Sequence, residues 1–132
     1  EIDALVAAVA PQDWTALDQR EAAYAKHPAR HQIEASLPPE AHVVVYAIEE
    51  GLHHPPDPDS PVLLSYIDVV VQGYLHTFGE DGVAHFFNTT GGWEAPVLND
   101  RETPVYSRHQ KLSADETILV DDMLSGVGAR LL

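Results

Sequence analysis

A helical pattern of apolar residues between positions 63 and 78 constrains the fold most strongly. The apolar side chains there recur at spacings of three and four, which is typical of an amphipathic helix with one buried face. They are Leu63, Ile67, Val70, Val71, Tyr74 and Phe78. Ser60 followed by Pro61 predicts the N-cap and first turn of this helix, and Gly79 predicts its C-terminal end.

Three further segments carry recognisable signals. Residues 43–48 are rich in β-branched side chains without strict alternation, which predicts a strand covered on both faces. Residues 80–89 predict a shorter helix that stops before two glycines. Ser113 and Glu116 have the spacing of a capping box, which predicts the start of a last helix that ends near Gly126.

The first thirty residues predict a strand followed by a helix. Residues 2–9 form a short apolar run that Pro11 ends, as in a buried strand. Asp13 can cap a helix that runs through about His27, because Pro28 disfavours helical geometry at the residue before it. The segments at 49–61 and 99–110 show no period and predict loops. We therefore expect one α+β domain.

Composition excludes several classes of function. The 132 residues include 7 Lys and Arg against 21 Asp and Glu, a formal net charge of −14, which repels phosphate backbones and anionic lipids. We expect no nucleic-acid partner and no membrane partner, and a cytoplasmic location. The chain contains no cysteine, so it has no disulfide, no thiolate metal site and no cysteine nucleophile.

Glu21 is the residue that does not fit its pattern. On the predicted helix it falls within the arc of Trp14, Leu17 and Asp18, where an apolar residue is expected, and Tyr24 lies one turn further on. A carboxylate among apolar side chains is suited to act as a base near neutral pH. Alternatively, Glu21 only ends the apolar face and pairs with a neighbouring or distant basic residue.

A resemblance favours the catalytic interpretation. Residues 17–24 read L-D-Q-R-E-A-A-Y and resemble the L-D-x-x-E helix of the γ-glutamylcyclotransferase-like superfamily, including its ChaC-like members. The strand at 43–48, the Ser60-Pro61 helix and the closing segment around Asn99-Asp100-Arg101 are also similar to that family. The resemblance implies that Glu21 is catalytic, and that Tyr24, Tyr46 and Tyr66 contribute to substrate binding.

The same resemblance implies a mixed β-barrel with helices outside it and a cyclisation reaction. A γ-glutamyl amide or peptide, such as glutathione, would release 5-oxoproline by attack of its own α-amino group, with Glu21 as general acid and base and with no cofactor. The family carries a Y-G-S-L loop after its first strand, and this sequence has none. We therefore expect the chain to be the C-terminal two-thirds of such a domain. It would be inactive alone, and would self-associate or pair with a missing N-terminal segment.

Two alternatives stay open, and a metal site is disfavoured. The chain could be a non-catalytic module that binds a small molecule or a protein, or an enzyme that removes a γ-glutamyl group from a biosynthetic amine. Among the eight histidines, His27 and His31 are separated by Pro28, and His53-His54 lie in a proline-rich loop near Asp57 and Asp59. We expect solvated histidines and no metal.

Overall fold

A computed structural model describes residues 1–52, 57 and 59–132. These residues form an α+β structure with three α-helices and two small sheets, which confirms the predicted class. They divide into two compact units: a larger one made of Glu1–Leu5 with Pro55–Leu132, and a smaller one, Val6–His54. Within the described part of the chain the sheets do not close into a barrel. No helix there is both long and apolar enough to cross a membrane.

The smaller unit pairs a short helix with a two-stranded sheet. A single 3₁₀ turn leads into α1 (Trp14–Arg20), and β1 (Ala25–Pro28) pairs antiparallel with β2 (Val44–Ala47). The strand predicted at 43–48 is therefore confirmed, but its predicted coverage on both faces is wrong, since Val45 is 44% exposed in this two-stranded sheet. The predicted helix through His27 is wrong after Arg20, because residues 25–28 pair with β2 instead of continuing the helix.

Little apolar surface is buried inside the smaller unit. Ala29, at 3% exposure, is the one fully buried apolar residue among its described positions. The strand predicted at residues 2–9 is wrong, since positions 1–10 carry no regular secondary structure. With so small a core, contacts between polar and aromatic side chains account for much of what joins α1 to the sheet.

The larger unit packs two helices against a three-stranded parallel sheet. Its elements are β3 (Val62–Leu63), α2 (Leu64–Thr89), β4 (Pro96–Leu98), α3 (Ala114–Gly126) and β5 (Arg130–Leu131). β4 is the central strand, with Val62 opposite Val97 on one side and Pro96 opposite Arg130 on the other. The core is apolar and comes from both helices and β4: Leu64, Ile67, Val71, Val83, Phe87, Val97, Val120 and Leu124.

The two helices of the larger unit follow the sequence predictions closely, except at the start of α2. α2 begins at Leu64 and Ser60 does not cap it, because residues 62 and 63 pair as a strand. Gly79 interrupts α2 with φ 70° and ψ −170°, a conformation open essentially only to glycine, so the two predicted helices form two limbs. At α3 the capping box of Ser113 and Glu116 is confirmed in both of its hydrogen bonds.

Candidate functional site

Glu21 lies at the C-terminal end of α1. Its backbone N–H donates to the carbonyl oxygen of Leu17 at 3.0 Å, which closes the last helical turn. Its carboxylate Oε1 accepts a hydrogen bond from Nε of Arg20 at 2.7 Å. The Glu21 side chain is 23% exposed and that of Arg20 is 59% exposed. The polar contact of the Glu21 side chain among the described residues is this neighbouring guanidinium, which sequence reasoning had named as the alternative to a catalytic role.

One turn earlier, Asp18 is the centre of a compact group that we call the Lys26 cluster: Trp14, Asp18, Lys26 and Tyr46. Lys26 Nζ lies 2.8 Å from Asp18 Oδ1 and 3.2 Å from Oδ2. The Tyr46 hydroxyl also donates to Oδ1 of Asp18. The ammonium sits 4.3 Å from the centroid of the Trp14 ring and 5.8 Å from that of Tyr46. Both distances fall within the range of a cation–π interaction.

The hydrogen bonds fix the charge state of the Lys26 cluster. The hydrogen bond from Lys26, followed by that from Tyr46, lowers the pKa of Asp18, and the hydrogen bond to Asp18 raises the pKa of Lys26. Desolvation and the hydrogen bond to Asp18 raise the pKa of Tyr46. At neutral pH the cluster therefore holds a carboxylate, an ammonium and a neutral phenol. Asp18 stays ionised while it binds Lys26 and Tyr46, so it is better suited to positioning these side chains than to transferring a proton.

The Lys26 cluster joins α1 to both strands of its sheet. Asp18 belongs to α1, Lys26 to β1 and Tyr46 to β2, and Lys26 stands opposite Tyr46 in the strand register. Because this unit buries so little apolar surface, the cluster positions the helix end that carries Glu21. Sequence reasoning placed Lys26 on a helix and so missed its role. The strand that holds Lys26 has only four residues, Ala25–Pro28, which are too few to show a period.

The structure brings only some of the predicted tyrosines into one unit. Tyr46 contacts Asp18 directly, and the backbone N–H of Tyr24 donates to the carbonyl oxygen of Glu21 at 2.9 Å. The Tyr24 side chain is 47% exposed. Tyr66 belongs to the larger unit, on the first limb of α2, where its ring meets that of Tyr106 edge to face at 5.1 Å.

The predicted closing segment around Asp100 forms a buried polar network in the larger unit. Asp100 Oδ1 accepts from the backbone N–H of Ser65 at 2.8 Å. Its Oδ2 accepts from the Ser65 hydroxyl at 2.6 Å and from the Val105 N–H at 2.8 Å. Asp100 thus satisfies the start of α2 in place of a local N-cap. Because each of these groups already has a partner, we interpret the network as structural and not as a serine nucleophile with its base.

Arg101 extends this network along α2. Its Nη2 and Nε donate to both carboxylate oxygens of Asp68 at 2.7 and 2.8 Å, and Nη1 donates to Asp121 on α3 at 2.7 Å. The hydrogen bonds to Asp68 are the largest cause that raises the pKa of Arg101. Desolvation opposes this effect, and the hydrogen bond to Asp121 adds to it. The guanidinium links the two helices to the loop that follows β4.

The histidines do not gather into a metal centre in the described ranges, where no group of three or more His, Cys, Asp or Glu side chains has suitable geometry. His27 lies on β1 and His31 on a 3₁₀ turn. His76 pairs with Glu116 at 2.8 Å and His85 with Asp3 at 2.7 Å. The predicted pair His53-His54 lies outside the described residues.

Comparisons of the chain with protein-family models, with curated proteins and with solved structures found no match.

Proposed function

We propose that the chain belongs to a γ-glutamylcyclotransferase-type enzyme that releases 5-oxoproline from a γ-glutamyl amide or peptide, with Glu21 as general acid and base. Two points support the proposal. The segment around Glu21 resembles the catalytic helix of that superfamily, and the Glu21 side chain stays partly exposed, at 23%. The finer fold, a mixed barrel of the γ-glutamylcyclotransferase-like type, is part of the same proposal.

The partial exposure of the Glu21 side chain is the observation on which the proposal depends most. The described partner of Glu21 is Arg20, whose own side chain is 59% exposed. Exposed ion pairs of this kind contribute about 0–1 kcal/mol, so a substrate bearing its own charges can displace the contact at little cost. A γ-glutamyl substrate carries an α-ammonium group that Glu21 can bind and an α-carboxylate that suits Arg20.

The reaction then needs one proton acceptor and no protein nucleophile. Glu21 accepts a proton from the α-ammonium group, and the freed nitrogen attacks the γ-carbonyl carbon within the same molecule. The bond from that carbon to the leaving nitrogen breaks as Glu21 returns the proton to that nitrogen. The ring nitrogen, which still carries two protons, then passes one through Glu21 to the released amine, which leaves as an ammonium ion. The products are 5-oxoproline and a free amine or shorter peptide, in equal amounts. Neither a cofactor nor a metal takes part in these steps.

The Lys26 cluster has a supporting role in this mechanism. Asp18 lies one helical turn before Glu21 and holds Lys26 and Tyr46, so it keeps the end of α1 in place on the sheet. Holding a catalytic group within a narrow range of positions requires that its supporting residues be fixed by their own contacts. Tyr24, which follows Glu21 by less than one turn, is an exposed candidate for contact with the substrate.

A second candidate is a non-catalytic module that binds a small molecule or a protein. The observation that favours it is the ion pair between Glu21 and Arg20, because Arg20 occupies a carboxylate oxygen that the reaction would need. The two candidates differ in what happens to a bound γ-glutamyl compound. The enzyme converts it, whereas the module returns it unchanged.

The test is the stoichiometry of product formation. The full-length gene product that contains this chain is incubated with a panel of L-γ-glutamyl dipeptides and glutathione, and 5-oxoproline and free amine are quantified together. We expect both products in a 1:1 ratio, with no change when a chelator is added. Binding of the substrate without either product would favour the non-catalytic module. Loss of turnover on chelation, restored by added metal, would contradict the metal-free mechanism.

A further inference from the structure

The larger unit contains an apolar cavity that the proposed chemistry does not use. Its volume is about 180 Å³, and it lies between the two limbs of α2, the loop that follows α2, and β3 and β4. The residues that define its walls are mostly aliphatic or aromatic: Tyr66, Val70, Phe86, Trp93, Ala95 and Val97. Exposed Tyr66 and Val62 line its open side.

Aromatic packing holds one wall of this cavity in place. The Trp93 ring stacks on Phe87 with a centroid distance of 4.7 Å and an interplanar angle of 14°. Phe86 meets Trp93 edge to face at 5.9 Å and 88°. Trp93 Nε1 also donates a hydrogen bond to the carbonyl oxygen of Phe87 at 3.4 Å. Since Phe87 is buried in the core, the indole has a fixed support and the wall is formed before any ligand arrives.

Water is a poor occupant of such a space. An ordered buried water makes about three hydrogen bonds, and the cavity walls are almost entirely carbon. Replacing loosely held water by an apolar group is therefore favourable. An apolar cavity of about 150 Å³ accommodates benzene, so the roughly 180 Å³ available here is enough for one ring.

We propose that the Trp93 cavity binds a small, neutral, single-ring aromatic compound whose ring packs against Trp93 and Phe86. Edge-to-face and offset stacked contacts with these two rings supply the selectivity for an aromatic ligand over an aliphatic one. The chain's net charge of −14 works against anionic ligands of the same shape. The cavity is built entirely from the larger unit and does not depend on the role of Glu21.

Titration of the protein with toluene, and separately with benzoate, tests the proposal by NMR of the indole N–H signals. The chain has two tryptophans, and Trp93→Phe assigns the signal of Trp93. We expect toluene to shift the Trp93 signal in a saturable way while the Trp14 signal stays in place. Benzoate should bind at least tenfold more weakly. Val70→Phe should fill the cavity and abolish the shift, whereas Ile118→Phe, at an exposed position on α3, should leave it unchanged.

A shift that never saturates, equal binding of benzoate, or unchanged binding in a folded Val70→Phe variant would each overturn the proposal. If Val70→Phe does not fold, intermolecular nuclear Overhauser effects decide in the wild-type protein. Contacts from the toluene methyl group to ring protons of Trp93 and Phe86 support the assigned cavity, and their absence at saturating toluene contradicts it.

Discussion

Replacing Asp100 by Asn tests whether Asp100, which lies 35 positions downstream of Ser65, caps the start of α2. The Asp100 carboxylate is buried, with the residue 7% exposed, and accepts hydrogen bonds from both the Ser65 N–H and the Val105 N–H at 2.8 Å. These two donors approach different carboxylate oxygens. An asparagine keeps the shape but offers only one oxygen, so either orientation points its amide group at a backbone donor.

The expected cost follows from that mismatch. One hydrogen bond to a charged acceptor is lost, worth about 1.5–3 kcal/mol, and one buried donor is left without a partner, which costs about 1–3 kcal/mol. Because these contributions overlap, we expect Asp100→Asn to lower the free energy of unfolding by about 2–4 kcal/mol. With a urea slope of about 2 kcal/mol/M, the unfolding midpoint should fall by roughly 1–2 M.

Urea denaturation followed by circular dichroism measures this shift. Asp122→Asn is the matched control, because Asp122 is exposed on α3, and it should change stability by less than about 0.5 kcal/mol. The urea slope of the unfolding free energy should be the same in the wild type and in both variants, since the folded state remains equally compact. A stability of Asp100→Asn within about 0.5 kcal/mol of wild type would refute the capping role.

The effect of Asp100→Asn on the free energy of unfolding should depend on pH. Burial acts to raise the pKa of Asp100, but the hydrogen bonds from Ser65 and Val105 outweigh it and hold the pKa below its ordinary value of 3.8. The charged form therefore contributes stability that is fully present above pH 3.8 and is lost as the pH falls through the folded-state pKa. The stability difference between wild type and Asp100→Asn should narrow over that acid range. A constant difference would contradict the argument.

Two further predictions concern the helices. Gly79→Ala should destabilise the protein by about 1–3 kcal/mol because of its positive φ, whereas Gly73→Ala, at a helical position with open space around it, should stabilise it by about 0.5–1 kcal/mol, as measured by thermal unfolding. The reverse order would contradict the break assigned at Gly79. The hydrogen bond from the Ser113 backbone is the largest cause that lowers the pKa of Glu116 below its ordinary value of 4.5. Desolvation opposes this effect, and the hydrogen bond from Gln72 adds to it. Its contribution to stability is therefore present above pH 4.5 and lost as the pH falls further, so Glu116→Gln should show a shallower acid dependence in urea titrations between pH 6 and 3.

The sequence predicted the helices of the larger unit well because their signals are local. The two limbs of α2, the break at Gly79 and the capping box at Ser113 each depend on residues within a few positions of one another. The start of α2 was predicted wrongly because its cap is Asp100, which is distant in sequence. Local pattern reasoning cannot find a cap that the tertiary structure supplies.

The strands and the candidate site were predicted less well. β3, β4 and β5 hold two, three and two residues, too few to show a period, and their parallel pairing depends on contacts made after folding. Glu21 was selected on a helix that proves to be shorter than predicted. Pairing of β1 with β2 overrides the helical tendency after Arg20, and it places Lys26 beside Asp18.

The most direct measurement is the rate of 5-oxoproline formation by Glu21→Gln in the full-length gene product. The amide is nearly the same shape as the carboxylate but cannot act as a base, so we expect the rate to fall by at least about 100-fold, within the roughly 10²–10⁴-fold range of general acid–base catalysis. Glu94→Gln, at an exposed position in the larger unit, should keep the wild-type rate, and both variants should unfold at the wild-type urea midpoint. Turnover by Glu21→Gln within tenfold of wild type, or no 5-oxoproline from the wild-type enzyme with any γ-glutamyl substrate, would contradict the proposed function.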